Sequence, residues 1–453
     1  MIVCKFGGTS VEDAEAITRT ASIVASRLDR KPIVVVSALG GATNQLLALA
    51  EQSTRGQLIG AMRAVQSLRE RHITAAESLL GAKTADGVDL VDDISGMFDE
   101  LASLAEALSV LGHLTPRSLD AVAAFGESLS SIMVAAAFRK AGLPAEHVDA
   151  RKVMITDDQF TRAEPQPEAI AEASRQHLAP LLRDNKVPVL GGYIGASQKG
   201  NITTTLGRGG SDYSASLIGA ALKAEAIEIW TDVDGMLTAD PRVVQCARTI
   251  EQVGFEEASE LASFGAKVLH PYTIAPAVRI GIPVLVLNSR NPSGKGTLIT
   301  FDAPRRPVTA IAGKSNVTLI KVRSPRMLLT EGFLRELFGI FERHKMSVDV
   351  VATSEVSVSL TVDDPSRLDE LIPDLRRLGD VAIERNRGIV ALVGTALSEG
   401  GTAMSRALAA LGDTRLSMLS LSATGINLTM VVDADEVNPL VKRLHREFFE
   451  DDA

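Results

Sequence analysis

A chain of 453 residues, 45% apolar and 23% charged, is long enough for two or three globular domains with substantial cores. Its net charge of −9 argues against a basic nucleic-acid-binding face. Two cysteines, Cys4 and Cys246, are too few for a disulfide framework and lack metal-ligand spacing, so both read as reduced packing residues in a cytoplasmic setting.

Met1-Ile2-Val3 runs straight into a strand with no basic leader, and no apolar run reads as spanning a bilayer. The strand ends in Lys5-Phe6-Gly7-Gly8-Thr9-Ser10. A strand, a glycine turn and a helix start present backbone N–H groups and one cation to a phosphate. The order is not that of a P-loop, because Lys5 precedes the glycines. Residues 12–28 read as an amphipathic helix, and Ile33-Val34-Val35-Val36 as a strand buried on both faces. Ser37 to Asn44 forms a second small-residue loop, so two strand–loop–helix units fall within fifty residues and predict an α/β fold.

Residues 45–140 carry helical periodicity almost throughout. Glu127, in Phe125-Gly126-Glu127-Ser128, reads either as an acid near a helix N-terminus or as a carboxylate facing a cleft. Strands are expected at 145–149 and 187–190, with a helix over 168–184 between them. Gly191-Gly192-Tyr193-Ile194-Gly195 is a third glycine loop after a strand. The segment Leu206-Gly207-Arg208-Gly209-Gly210-Ser211-Asp212 then holds an arginine and an aspartate among small residues at a helix start, a poor core and a good approach to a charged ligand. The strand at 226–230 delivers Thr231-Asp232 at the edge where open α/β sheets bind ligands. Residues 254–279 look helical, 282–287 form a strand, and Pro304-Arg305-Arg306-Pro307 reads as a linker.

The last third predicts β-α-β-β-α-β over 317–384, then a repeat of that order that stops one strand short. The apolar run 308–313 is inferred to supply the missing strand, so that the first unit is inserted into the second.

Four motifs, Lys5 to Ser10, Gly207 to Ala215, Trp230-Thr231-Asp232-Val233-Asp234-Gly235 and Gly265 to Pro271, together resemble aspartate kinase of the amino-acid-kinase superfamily. The final third is similar to the tandem ACT domains of its monofunctional, lysine-sensitive members, and the likeness covers essentially the whole chain. It implies an α/β protein: an amino-acid-kinase αβα sandwich with a mainly parallel central sheet, followed by two ferredoxin-like ACT domains. The domains would be 1–305, catalytic, and 306–453, regulatory, with 315–387 inserted in a unit made of 307–314 and 388–453. The implied reaction is ATP-dependent phosphorylation of the β-carboxylate of L-aspartate, with Mg2+.

By the same resemblance, Lys5 and Asp212 are the catalytic pair. Ser37, Thr43, Glu127 and Arg208, with Gly209, Gly210 and Ser211, hold aspartate, Arg208 on its α-carboxylate and Glu127 on its ammonium. Lys5, Gly7, Gly8, Thr231, Asp232, Leu237, Arg242, Lys267 and Val268 contact the nucleotide. Leu237 stands where many members have tyrosine, so ATP affinity is expected to differ. No residue is assigned as a dedicated metal ligand.

The effector site implied for an amino acid, lysine favoured over threonine, comprises Met327, Thr330, Gly332, Phe333, Leu334, Ser347, Val348, Asp349, Thr353, Ser354, Glu355 and Val356. Thr330 replaces the serine common there, and Asp349 and Glu355 read otherwise as ordinary strand-end charges. A homodimer or tetramer through the ACT domains is expected, with no nucleic-acid or membrane partner. Two rivals remain: a sibling kinase for glutamate or N-acetylglutamate, against which Glu127 argues, and a catalytically inactive amino-acid sensor, against which Lys5, Arg208 and Asp212 argue.

Overall fold

The computed structural model describes residues 1–264, 271–328 and 331–450. They divide into two compact units, one of Met1–Met236 with Val268–Phe301, the other of Leu237–Lys267 with Asp302–Ala453.

In the first unit the strand Ile2–Phe6 lies at the middle of a mainly parallel sheet. Pro32–Val36 flanks it on one side and Ala226–Thr231 on the other, both parallel. Val187–Gly191 and then Ala145–His147 continue one wing, and Val284–Asn288 and the antiparallel Thr297–Thr300 the other. Every residue of Ile2–Phe6, Pro32–Val36 and Val187–Gly191 is buried, as near-continuous apolar runs demand of strands covered on both faces, with Lys5 the one charged residue among them. A small second sheet joins Ile155–Thr156, Ile194–Ser197 and Thr203–Thr205. The sequence reading missed it, because strands this short carry no period-2 pattern.

Helix starts follow local chemistry. Asp13 caps Ala14–Ala25 by accepting from the Ala16 N–H at 2.8 Å, and Thr115 caps Pro116–Ala123, which has proline in its first turn. The long helices Leu58–Leu80 and Ala85–Leu111 bury one stripe each, through Leu68, Ala76, Ile94 and Phe98. The stretch Pro116–Lys140 is long and apolar enough to cross a membrane, contrary to the expectation above. It is instead two core helices, Pro116–Ala123 and Phe125–Lys140, and 78% of its most apolar window is buried.

The second unit is built on an antiparallel sheet of six strands. Their order is Val351–Thr353, Ser357–Val362, Ala310–Arg323, Asp380–Val393, Asn427–Asp433, Met418–Leu421. Two 14-residue strands, Ala310–Arg323 and Asp380–Val393, run through both halves. Residues 310–315 pair with 388–393, and 317–323 pair with 380–387. The register shifts beside Asn316, and Asn316 and Asn386 both adopt the left-handed conformation, with φ of 65° and 55°. A bulge of this kind kinks and twists a strand without ending it, so what reads as two strands in sequence is one.

Helices Phe333–Arg343 and Leu368–Leu375 pack on one half through Leu337, Phe341, Leu371 and Leu375. Thr402–Ala409 and Val437–Phe449 pack on the other through Ala407, Leu440 and Leu444, joined by Ala239 and Val244. The segment read as one helix over 254–279 contains two, Phe255–Ser263 and Pro271–Arg279, with 265–270 outside the described residues. Buried Glu257 anchors the first of these, accepting from Thr309 Oγ1 at 2.6 Å and from the Thr395 N–H at 3.0 Å.

Candidate active site

The carboxyl ends of three neighbouring parallel strands bring three loops together in the first unit, beside the start of helix Gly210–Leu222. The Gly7 N–H donates to Trp230 O, the Ser37 N–H to Phe6 O, and the Gly192 N–H to Val36 O. Each bond extends the ladder one step past the strand, so the loops start from fixed points. Two close approaches lock them further. A Cβ on Gly126 would lie 2.8 Å from Ala38 Cβ, and one on Gly192 would lie 2.7 Å from Ser211 Cα. Only glycine lets the start of helix Phe125–Lys140 touch the 37–41 loop, and lets the 191–193 loop touch helix Gly210–Leu222.

These loops enclose a cavity of about 530 Å³. Lys5, Gly8, Ser37, Thr43, Glu127, Arg208, Gly209, Gly210, Ser211 and Asp212 all line it, although they come from four separate stretches of the chain. Lys5 Nζ sits 2.7 Å from Asp212 Oδ1, and both side chains are largely buried. Asp212 occupies the first turn of its helix, where backbone N–H groups also point toward an anion.

Glu127 is 4% exposed, and its Oε2 has no hydrogen-bond partner among the described residues. Burial raises its pKa to about 8; the Ala38 N–H, its own N–H and Lys5 oppose that shift without cancelling it. A buried carboxyl with an unused oxygen on a cavity wall is matched by a cation entering from the cavity. Arg208 is exposed to the same space and has no ion-pair partner among the described residues, a planar two-pronged donor open to an anion.

Of the remaining candidates, Gly7 begins the turn beside Lys5 and Thr231 donates to Asp232 Oδ1 at 3.2 Å at the adjacent strand end, but none of the three lines the cavity. Leu237 and Arg242 belong to the second unit. There Leu237 bridges to Thr249, and Arg242 grips Asp240 at 2.6 Å through Nη2. Lys267 and Val268 lie outside the described residues.

Several liners were not assigned to the site from sequence, Tyr193, Asn44 and Leu47 among them. Tyr193 adopts a left-handed φ of 65°, and its N–H donates to Ser214 Oγ. That backbone conformation, unlike the glycine pair before it, leaves no mark in the sequence.

In the second unit the effector candidates fall within one half. Met327 and Val348 pack on the cluster formed by Phe333, Leu337 and Phe341, and Gly332 caps helix Phe333–Arg343 with φ 84° while Leu334 is exposed. The Asp349 N–H donates to Thr361 O, and the Ser354 and Ser357 hydroxyls pair at 2.7 Å. Partial desolvation and the nearby Asp363 carboxyl push the Asp349 pKa up to about 7, against Lys314. Ser347, Thr353 and Glu355 are exposed, Val356 O accepts from the Ser324 N–H, and Thr330 lies outside the described residues.

Residues 1–288 match the model of the amino acid kinase family. The chain is 39% identical over 459 residues to lysine-sensitive aspartokinase 3 of Escherichia coli, covering 99% of both. It is 37% identical to the chloroplastic aspartokinase 3 of Arabidopsis thaliana, covering all of this chain and 82% of that one. Its structure is similar to crystal structures of E. coli aspartokinase III in complex with aspartate and ADP, at a TM-score of 0.85, and in complex with lysine and aspartate, at 0.84; each covers 99% of this chain and 100% of the other, at 39% and 38% identity. The chain belongs to the amino acid kinase family and, within it, to the aspartokinases.

Proposed function

We propose that the protein transfers the γ-phosphoryl group of ATP to the β-carboxylate of L-aspartate, giving 4-phospho-L-aspartate and ADP, and that lysine feeds back on this step. One observation carries the reading. A single cavity presents a buried lysine, an arginine with no ion-pair partner among the described residues and a buried carboxyl with one oxygen unpartnered among them, which matches a phosphate, a carboxylate and an ammonium group.

Phosphoryl transfer needs positioning and charge neutralisation more than covalent chemistry. Lys5 faces the charge that spreads over the oxygens of the group in flight, and Asp212 holds its ammonium in place. Arg208 takes the α-carboxylate and Glu127 the α-ammonium, which leaves the β-carboxylate oxygen aimed at phosphorus. Ser37, Thr43, Gly209, Gly210 and Ser211 complete the aspartate side, and Gly7, Gly8, Thr231, Asp232, Leu237, Arg242, Lys267 and Val268 the nucleotide side. A Cβ on Gly8 would lie 3.1 Å from Ala38 O, so the backbone there has the bare approach a phosphate needs. The carboxylates of Asp212 and Asp232 are the hard oxygen donors that fit Mg2+, which supplies further charge neutralisation on the phosphates.

The regulatory reading places lysine on Met327, Thr330, Gly332, Phe333, Leu334, Ser347, Val348, Asp349, Thr353, Ser354, Glu355 and Val356. Asp349 and Glu355 offer anions to an ammonium, and the backbone around Gly332 offers N–H groups to a carboxylate. The domain division carried with it is 1–305 and 306–453, with 315–387 inserted between 307–314 and 388–453, in a cytoplasmic homodimer or tetramer. The pairing of 310–315 with 388–393 supports that insertion.

ADP release measured with L-aspartate, L-glutamate and N-acetylglutamate in turn tests the reaction. Release with aspartate is expected, and its absence overturns the reading. Lys5→Ala should lower kcat by about 10²–10³-fold, as for loss of one charge-stabilising donor.

A further inference from the structure

In the second unit three side chains that no site above uses, each of different chemistry, converge. Cys246 Sγ lies 3.1 Å from Glu450 Oε1, and His445 Nδ1 lies 2.7 Å from the same oxygen. One ligand atom from each lies within 4.8 Å of the other two. Cys246 comes from the turn after Val244, which packs into the second core of this unit. His445 and Glu450 come from the end of helix Val437–Phe449.

We propose that Cys246, His445 and Glu450 bind a divalent transition-metal ion of the zinc type, clamping the end of the last helix to the 240–248 turn.

The donor set decides the class of ion. One sulfur, one imidazole nitrogen and one carboxylate oxygen suit a borderline-soft cation, whereas calcium and magnesium take oxygen alone. Three protein ligands leave a fourth position for water. The imidazole is also held as a metal ligand's should be. His445 is fully buried, and its ring lies 4.9 Å from that of Phe449. Its Nε2 is 3.0 Å from Thr238 Oγ1, which itself accepts from the Arg248 N–H at 3.0 Å. In the metal-bound state Nε2–H donates to Thr238, and the Nδ1 lone pair faces the ion. Such an outer partner fixes tautomer and ring orientation in metal-bound histidines.

The two contacts to Glu450 fit after a small adjustment, and the Cys246 sulfur and the His445 ring nitrogen lie within 4.8 Å of each other. Zinc bonds of about 2.0–2.3 Å imply tetrahedral ligand separations of roughly 3.3–3.6 Å. The present 2.7 Å and 3.1 Å are therefore tight by about half an ångström, by the same bond lengths. The Glu450 side chain, 37% exposed, is free to withdraw that far, and exposed Cys246 leaves an entry path. Without metal, the thiol proton and an imidazole proton both point at one carboxylate oxygen. Coordination replaces both contacts: the thiol loses its proton to solvent, and the imidazole proton moves from Nδ1 to Nε2, where Thr238 Oγ1 accepts it, so the ring stays neutral.

The reduced full-length chain titrated with Co2+ tests this. One equivalent should produce a cobalt–thiolate charge-transfer band, Zn2+ should bleach it, and the thermal midpoint should rise with either ion. Cys4 is fully buried, so the band should persist in Cys4→Ala and vanish in Cys246→Ser. Glu450→Gln should weaken Co2+ on the order of tenfold or more. No band at excess Co2+, or an undiminished band in Cys246→Ser, overturns the proposal.

Discussion

Glu127 combines full burial, an unused oxygen and a pKa raised to about 8. In the unfolded chain it titrates near its ordinary value of 4.5. Its protonated form is therefore favoured by folding: the stabilisation is complete below about pH 4.5 and lost as pH rises through about 8. Glu127→Gln keeps the shape and never ionises. Its melting temperature should gain on wild type from pH 4.5 upward and level off above pH 8, followed by thermal denaturation across that range. The ammonium of aspartate demands the ionised form, so the wild-type KM for aspartate should fall as pH rises toward 8. In Glu127→Gln it should be higher by on the order of 10- to 100-fold and flat with pH. A steep pH profile in the variant would assign the titration to another group. Lys5, Arg208 and Asp212 were legible as candidates because charges flanked by glycines make poor core. Tyr193 was not, because its place on the cavity depends on a left-handed backbone that its side chain does not announce.

At the scale of elements, Glu257 shows what periodicity leaves out. It sits in the first turn of Phe255–Ser263, where an acid reads as a favourable helix-end charge. In the fold it is fully buried and accepts from Thr309 and Thr395 while also closing back on the Gly254 N–H. Glu257→Ala would leave the Thr309 hydroxyl and the part-buried Thr395 and Gly254 N–H groups without this acceptor and should destabilise by about 2–4 kcal/mol, read from urea denaturation by circular dichroism. A loss near zero would mean water replaces the carboxylate. The long strand Ala310–Arg323 carries the related lesson. Its two apolar runs were legible, but their union was not. A strand that crosses a bulge keeps hydrogen-bond partners on both sides, and those partners lie some seventy residues away.

For the whole molecule the consequential question is how an amino acid bound at the proposed effector residues would change catalysis. Coupling of this kind is a difference in affinity between two arrangements, so weakening the effector must relieve inhibition without touching the basal rate. Asp349→Ala should shift the lysine concentration for half-inhibition upward by at least about tenfold, the loss of one charged hydrogen bond, with kcat in the absence of lysine unchanged. Because the Asp349 carboxyl is pushed up to about 7, lysine should inhibit wild type more strongly as pH rises from 6 to 8, when that group ionises. Steady-state assays at several pH values decide this, and inhibition that survives the substitution would move the site elsewhere.

Locally encoded features were readable from the chain alone. Apolar runs gave the buried parallel strands, the β-α-β-β-α-β order gave the last third, and glycine-flanked charges gave most of the cavity wall, because strand burial, turn geometry and backbone approach depend on neighbouring residues. Tertiary structure alone decided what depends on distant partners: the fusion of two strands at Asn316, the place of 237–267 beside the C-terminal unit, and the meeting of Cys246 with His445 and Glu450. Cys246 has no ligand spacing in sequence because its two partners are supplied about two hundred residues later, by a helix whose position the core of the second unit fixes.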